Sequence, residues 1–208
     1  MSRRSQLRRH HPKSTAVRVI LGGAVATLAV AILLTGVGAA AAVGLLASWL
    51  TDLPSVSDPT AFAVAQTTKI YSADGKLLAN LFLENRQVVP LKDISPYLQH
   101  AVVSVEDERF YIHHGYDTVG IIRAAFTNLA AGGVQEGAST ITQQIVRNTV
   151  LSSERTEISY KRKVREAYLA SQLEKVMSKD EILSMYLNTV YYGEGAYGAE
   201  SAALTFFS

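Results

Sequence analysis

Between Arg18 and Asp52 the chain carries no charged side chain, and the interval VILGGAVATLAVAILLTGVGAAAAVGLLASWL is built mainly of Ala, Val, Leu and Gly. This apolar run of roughly 30 residues exceeds the ~20 that a helix needs to cross the hydrocarbon core of a bilayer. The sequence therefore predicts one transmembrane helix over residues 19–50. Ahead of it, Arg3, Arg4, Arg8, Arg9, Lys13 and Arg18 stand without an acidic residue among them. A basic flank on one side and an acid-containing flank on the other orient the span with residues 1–18 in the cytoplasm, Trp49 at the far interface and the rest exported.

A cleaved signal peptide also begins with basic residues, and Ala39 to Ala42 offer it a small-residue cleavage site, but its apolar core is only ~7–15 residues long. The basic run abuts a membrane span and lacks interleaved aromatics, so it reads as a topology determinant and no nucleic-acid partner is expected. The whole chain has 208 residues, 20 Lys or Arg and 18 Asp or Glu, a net charge of +2. Setting aside the six cations of the tail leaves 14 cations against 18 acids, a net −4, for everything that follows. With 48% hydrophobic and 18% charged residues the chain is not a disordered one. The absence of cysteine excludes disulfides, Cys-ligated zinc and iron–sulfur clusters.

Residues 51–66 contain two prolines and several Ser and Thr and suit a linker. In TTKIYSADGKLLANLF two apolar runs flank Asp74-Gly75, a β-hairpin signal. Helices follow. Ser95 with Pro96 opens one; a second over residues 119–131 stops at Gly132-Gly133. Ser139 is placed to cap a third that reaches residue 150, and Ser159 a fourth that reaches 177. Ser178 with Glu181 forms a capping box for a fifth over residues 179–190. The exported part is predicted to be mainly α.

Three polar clusters stand out. EDERFYIHHG, residues 106–115, puts three acids in a row after an apolar helix, and helical geometry turns neighbouring acids to different faces. If Glu106 continues the face of Val102 and Val103 it is partly buried, where desolvation suits a carboxyl to acid–base work; otherwise the run is a solvated helix end. His113 and His114 lack a second His pair at metal-ligand spacing, which favours a structural use. GASTITQQIVRN, residues 137–148, gathers hydroxyl and amide groups at a helix start, a setting for an oligosaccharide, a phosphate or only a polar cap. Around Glu166 stand Arg155, Lys161, Arg162, Lys163 and Arg165. Arg162 and Lys163 share its helix face at i,i+4 and i,i+3, either as surface ion pairs or as a clamp for an anionic leaving group.

Taken in order, these clusters resemble the family 51 glycosyltransferases, the peptidoglycan polymerase domain of class A penicillin-binding proteins and monofunctional transglycosylases. The resemblance runs from about Ile94 to the C-terminus. It rests on the ED-x-x-F-x-x-H-x-G pattern at Glu106 to Gly115, GxSTITQQ at Gly137 to Gln144, RKxxE at Arg162 to Glu166, and Lys179 with ILxxYLN at Ile182 to Asn188. Ala138 stands where a second Gly is common.

The resemblance implies a lysozyme-like, mainly helical fold with a membrane-facing subdomain, occupying residues 67–208. It implies polymerisation of lipid II into glycan strands with release of undecaprenyl pyrophosphate. Glu106 corresponds to the general base that deprotonates the acceptor sugar, and Glu166 to a second carboxylate that helps hold the donor diphosphate, directly or through a divalent cation such as Mg²⁺ or Mn²⁺. Asp107, Phe110, His113, Gly115, Ser139, Thr140, Thr142, Gln143, Gln144, Arg147, Arg155, Arg162 and Lys163 correspond to substrate-binding positions. Tyr186 and Asn188 belong to the fourth motif and are read as structural. Implied partners are lipid II, the growing lipid-linked strand, the bacterial cell membrane and proteins of the cell-wall synthesis machinery. The chain ends at SAALTFFS, where the family continues to a fifth, Arg-containing motif, and no SxxK occurs; the expectation is an incomplete domain, inactive alone. Two other classes compete: a lysozyme-like hydrolase using Glu106 and Glu166, and an inactive anchored scaffold.

Overall fold

The computed structural model describes residues 13–57, 62, 67–82 and 84–207. The basic residues before Lys13 and much of the expected linker lie outside the described residues. The chain divides into two compact units, residues 1–48 and 49–208.

Helix α1, Lys13–Trp49, supplies the described residues of the first unit and ends at the first residue of the second. Over Thr27–Trp49 it is long and apolar enough to cross a membrane. Within that stretch apolar side chains such as Leu28, Ile32, Leu34 and Val43 are exposed. Such a surface suits a membrane anchor.

Among its described residues the second unit holds a β-hairpin, a small three-stranded sheet and six α-helices. Strands β1 (Thr68–Tyr71) and β2 (Leu77–Leu81) pair antiparallel. Their turn is closed by Ser72, whose hydroxyl donates to Asp74, and by Gly75 at φ +81°. The hairpin expected around Asp74-Gly75 is present. Helices α2 (Pro96–Glu106), α3 (Thr118–Ala131), α4 (Ile141–Asn148), α5 (Tyr160–Leu173), α6 (Lys179–Thr189) and α7 (Ala199–Phe207) follow. The mainly α architecture is the one expected.

The core lies where α4, α5 and α6 meet. Ile141 and Ile145 of α4, Leu169 and Leu173 of α5, and Ile182, Leu183 and Leu187 of α6 are essentially inaccessible, with Phe110 among them. On α5 the inward stripe is Arg162, Arg165, Glu166, Leu169, Ala170 and Leu173. These positions recur at helical spacing, so one face begins charged and becomes apolar within three turns. Leu53, Val56 and Phe62, from the expected linker, pack against the same core.

Two helix starts differ in how well they were anticipated. Ser178 and Glu181 form the capping box on α6, with Glu181 Oε2 accepting the Ser178 N–H at 2.8 Å. Helix α4 is capped by Thr140 and not by Ser139, because Gln143 lies three residues after Thr140 and closes a reciprocal box with it. Both α4 and α5 also end earlier than expected, at Asn148 and Leu173.

The small sheet has the order β3 (Asn85–Arg86), β5 (Ala196–Tyr197), β4 (Tyr191–Gly193). Asn188 ties it to α6. Its side-chain amide donates to Val89 O at 2.9 Å while its Oδ1 accepts the Val89 N–H at 3.0 Å.

Candidate active site

Helix α2 stops at Glu106, and Asp107 leaves helical geometry at φ −161°, ψ 72°. This break sends the three consecutive acids to different surroundings. Glu106 and Glu108 are exposed, and Asp107 is only 7% exposed. The expected partial burial of Glu106 is therefore corrected. Glu106 closes α2 one turn after Val102 but its side chain is exposed, and the buried acid is its neighbour Asp107, which leaves the helix.

Asp107 joins two motifs. Its Oδ1 and Oδ2 lie 3.0 and 2.9 Å from His113 Nε2, and Oδ2 also accepts the Ile141 N–H at 3.0 Å. The latter is one of the N–H groups that a helix start leaves without a partner. Gly115 completes the joint at φ +91°. A Cβ there would stand 2.5 Å from the Ser171 backbone nitrogen, so only glycine fits. Its carbonyl accepts from Thr140 Oγ1 at 2.7 Å.

Behind this joint lies a buried charged cluster. Thr142 Oγ1 donates to Glu174 Oε1 at 2.6 Å, and Lys179 Nζ stands 2.8 Å from each oxygen of Glu174. Lys179 also lies 4.5 Å over the Phe110 ring. Glu174 Oε1 is 4.0 Å from His113 Nδ1.

Two side chains of the GASTITQQ segment turn the other way. Gln144 Nε2 donates to Glu106 Oε2 at 2.8 Å, and Ser139 Oγ accepts from Lys163 Nζ at 2.6 Å. Lys163 Nζ is also 3.1 Å from Glu166 Oε2, while Arg162 Nη1 donates to Glu166 Oε1 at 2.7 Å. Glu166 is fully buried, so the ion pair is not the surface pair that spacing alone suggests. Glu106 and Ser139 line one cavity of about 280 Å³, with Arg109, Arg123, Glu136 and Thr140 also in its wall. Arg123 Nε donates to Glu136 Oε1 at 2.7 Å, and that carboxylate pushes the guanidinium pKa further up. Asn128 holds the loop that carries Glu136, accepting the Gln135 and Glu136 N–H groups at 2.7 and 2.9 Å.

Residues 74–208 match the transglycosylase family. This chain belongs to that family. Among its relatives, penicillin-binding protein 1A of Escherichia coli is 46% identical over 156 residues, 75% of this chain and 18% of that protein. Penicillin-binding protein 1A of Haemophilus influenzae is 47% identical over 142 residues, 68% and 16% of the two chains. That of Rickettsia bellii is 41% identical over 160 residues, 76% and 20%. The chain spans about a fifth of the length of these relatives.

Within the transglycosylase domain the anticipated site residues fall into two sets. Asp107, Phe110, His113, Gly115, Thr140, Thr142 and Gln143 are turned inward and bonded or packed within the fold. Glu106 with Gln144, and Ser139 with Lys163, Glu166 and Arg162, form two bonded sets, of which Glu106 and Ser139 line the cavity. Arg147 lies in the last turn of α4, near Tyr186, and Arg155 is exposed just after a short 3₁₀ turn. Neither makes a hydrogen bond or ion pair to the others among the described residues.

Sequence reasoning missed Glu174, Arg109, Arg123 and Glu136, and it read Lys179 only as a motif position. Arg123 and Glu136 are thirteen residues apart, on a helix and a loop, and no local pattern joins them. Glu174 and Lys179 straddle the start of α6, where helical periodicity is interrupted.

Proposed function

We propose that this transglycosylase is a membrane-anchored peptidoglycan glycosyltransferase that polymerises lipid II. The observation that carries the reading is that Glu106 and Ser139 line one polar cavity, with Gln144 bonded to the first and the Lys163–Glu166–Arg162 series bonded to the second. An exposed carboxylate in the cavity wall and a cation cluster one hydrogen bond from that wall support the reading, since an inverting transfer from a diphosphate requires both groups.

In the proposed reaction a hydroxyl oxygen of the acceptor sugar forms a bond to the anomeric carbon of the lipid-linked donor. The bond from that carbon to the diphosphate oxygen breaks, and its electron pair leaves with undecaprenyl pyrophosphate. Glu106 takes the acceptor proton. Lys163, 44% exposed at its side chain, meets the departing diphosphate, while buried Arg162 and Glu166 hold it in place. Glu166 does not fit a divalent cation, since both its oxygens already face cations and it is inaccessible. No step is assigned to a metal.

The same burial disfavours a glycan hydrolase, whose second carboxylate must reach water or the sugar. Helix α1 would confine the enzyme to the bilayer that holds its lipid-linked substrates, raising their effective concentration. The basic residues before it put the N-terminus in the cytoplasm and the catalytic unit outside. Supplying the full-length protein with lipid II, and separately with finished glycan, tests the reading. Strand formation from lipid II is expected. Cleavage of finished glycan with no use of lipid II would overturn it.

A further inference from the structure

Glu106 is the last residue of α2 and its side chain is exposed, so by itself it would sample several rotamers. Only one of its oxygens is tied down: Oε2 accepts from Gln144 Nε2 at 2.8 Å, and among the described residues no other side-chain bond reaches this carboxylate. Oε1 is left for an incoming hydroxyl. A glutamine amide presents a donor at one end and an acceptor at the other, and turned over it would face the carboxylate with its own oxygen. What selects the orientation is Tyr186. Its hydroxyl donates to Gln144 Oε1 at 3.2 Å, from a ring only 4% exposed in the core face of α6.

We propose that Tyr186 is a positioning residue: by fixing the Gln144 amide, it holds the Glu106 carboxylate in the one orientation that meets the acceptor hydroxyl. The series Tyr186–Gln144–Glu106 crosses from α6 through α4 to the end of α2, so the orientation of an exposed base is set from inside the core. A tyrosine suits the task because its proton is secure. Burial first, and then the Glu106 charge, push the phenol pKa above its usual value, and the hydroxyl stays a donor throughout the neutral range. Tyr186 thus has a use beyond the structural one read from its motif.

The inference rests on the glycosyltransferase reading, and the experiment separates the two. The full-length protein is assayed on lipid II as wild type, Tyr186→Phe, Gln144→Ala and the double variant. Failure of the wild type to polymerise lipid II removes the glycosyltransferase reading. With an active wild type, Tyr186→Phe is expected to lower kcat about 5- to 10-fold, as loss of one oriented hydrogen bond should, with KM nearly unchanged. In the Gln144→Ala background the same substitution should have no further effect, because the route to Glu106 is already cut. Equal losses in both backgrounds, or no loss in either, would overturn the positioning role. A second measurement needs no turnover. The side-chain amide proton resonance of Gln144, followed by NMR in detergent micelles, should move on Tyr186→Phe and on Glu106→Gln; an amide that ignores Tyr186→Phe also overturns it.

Discussion

The carboxylate of Asp107 accepts the backbone N–H of Ile141 at 3.0 Å. One buried side chain at the end of α2 thereby fixes the start of α4, and with it the direction in which Gln144 points back to Glu106. His113 completes the arrangement by bonding the same carboxylate. The two motifs that flank the cavity are one mechanical unit.

Asp107→Ala leaves the Ile141 N–H and His113 without their acceptor inside the fold. Such a loss costs about 2–4 kcal/mol. Denaturant unfolding of the detergent-solubilised protein should show it, and Glu108→Ala, which removes an exposed acid one residue on, should change stability by less than about 0.5 kcal/mol.

Gly115→Ala and Gly132→Ala separate steric conflict from backbone strain. Both glycines have positive φ, +91° and +67°. A Cβ at Gly115 meets the Ser171 backbone at 2.5 Å, whereas at Gly132 it meets nothing within 4 Å. The first change is expected to cost about 3 kcal/mol or more and the second about 1 kcal/mol, read as the difference in unfolding midpoints.

Around Glu166 the two cations should part company. The Arg162 side chain is 10% exposed and that of Lys163 44%. Arg162→Met leaves a fully buried carboxylate short of its main partner, a loss of about 3 kcal/mol in stability. Lys163→Met should cost under about 1 kcal/mol in stability and show itself as weaker retention of lipid II in a binding assay. Equal destabilisation by the two changes would contradict the division of roles.

The α6 capping box carries a pH signature. The Ser178 backbone N–H and hydroxyl hold the Glu181 carboxyl below its ordinary value of 4.5. A carboxyl depressed in the folded state adds stability above its unfolded pKa and gives it up as pH falls through the folded value. The difference in Tm between wild type and Glu181→Gln should therefore be steady from pH 7 to about pH 5 and shrink as the solution is taken lower. A difference that grows on acidification would contradict this.

Much of this arrangement was legible because it is local. Ser178 and Glu181 stand three apart at a helix start, Asp74-Gly75 sits between two apolar runs, and Arg162 and Glu166 lie one turn apart on α5. What escaped depended on chain breaks. Periodicity puts Glu106 one turn after Val102, yet its side chain at the end of α2 is exposed, and nothing in the acid run marks Asp107 as the residue that leaves the helix and turns inward. The cap of α4 shifted from Ser139 to Thr140 because Gln143 completes a box only with the latter. The burial of Glu166 was available from its spacing to Leu169 and Leu173, which share its face, yet the surrounding cations pointed to a surface. Arg123 and Glu136 lie thirteen residues apart, and Glu174 and Lys179 five apart across a helix start, pairings that only the fold assembles.

Glu106 as the base is the centre of the proposed reaction. The most direct measurement is the steady-state rate of undecaprenyl pyrophosphate release from lipid II by the full-length protein and by Glu106→Gln, with lipid II binding measured beside it. The substitution keeps the side chain's size and removes its capacity to take a proton. A fall of about 100-fold or more in rate with binding retained is expected. Release at the wild-type rate would contradict it.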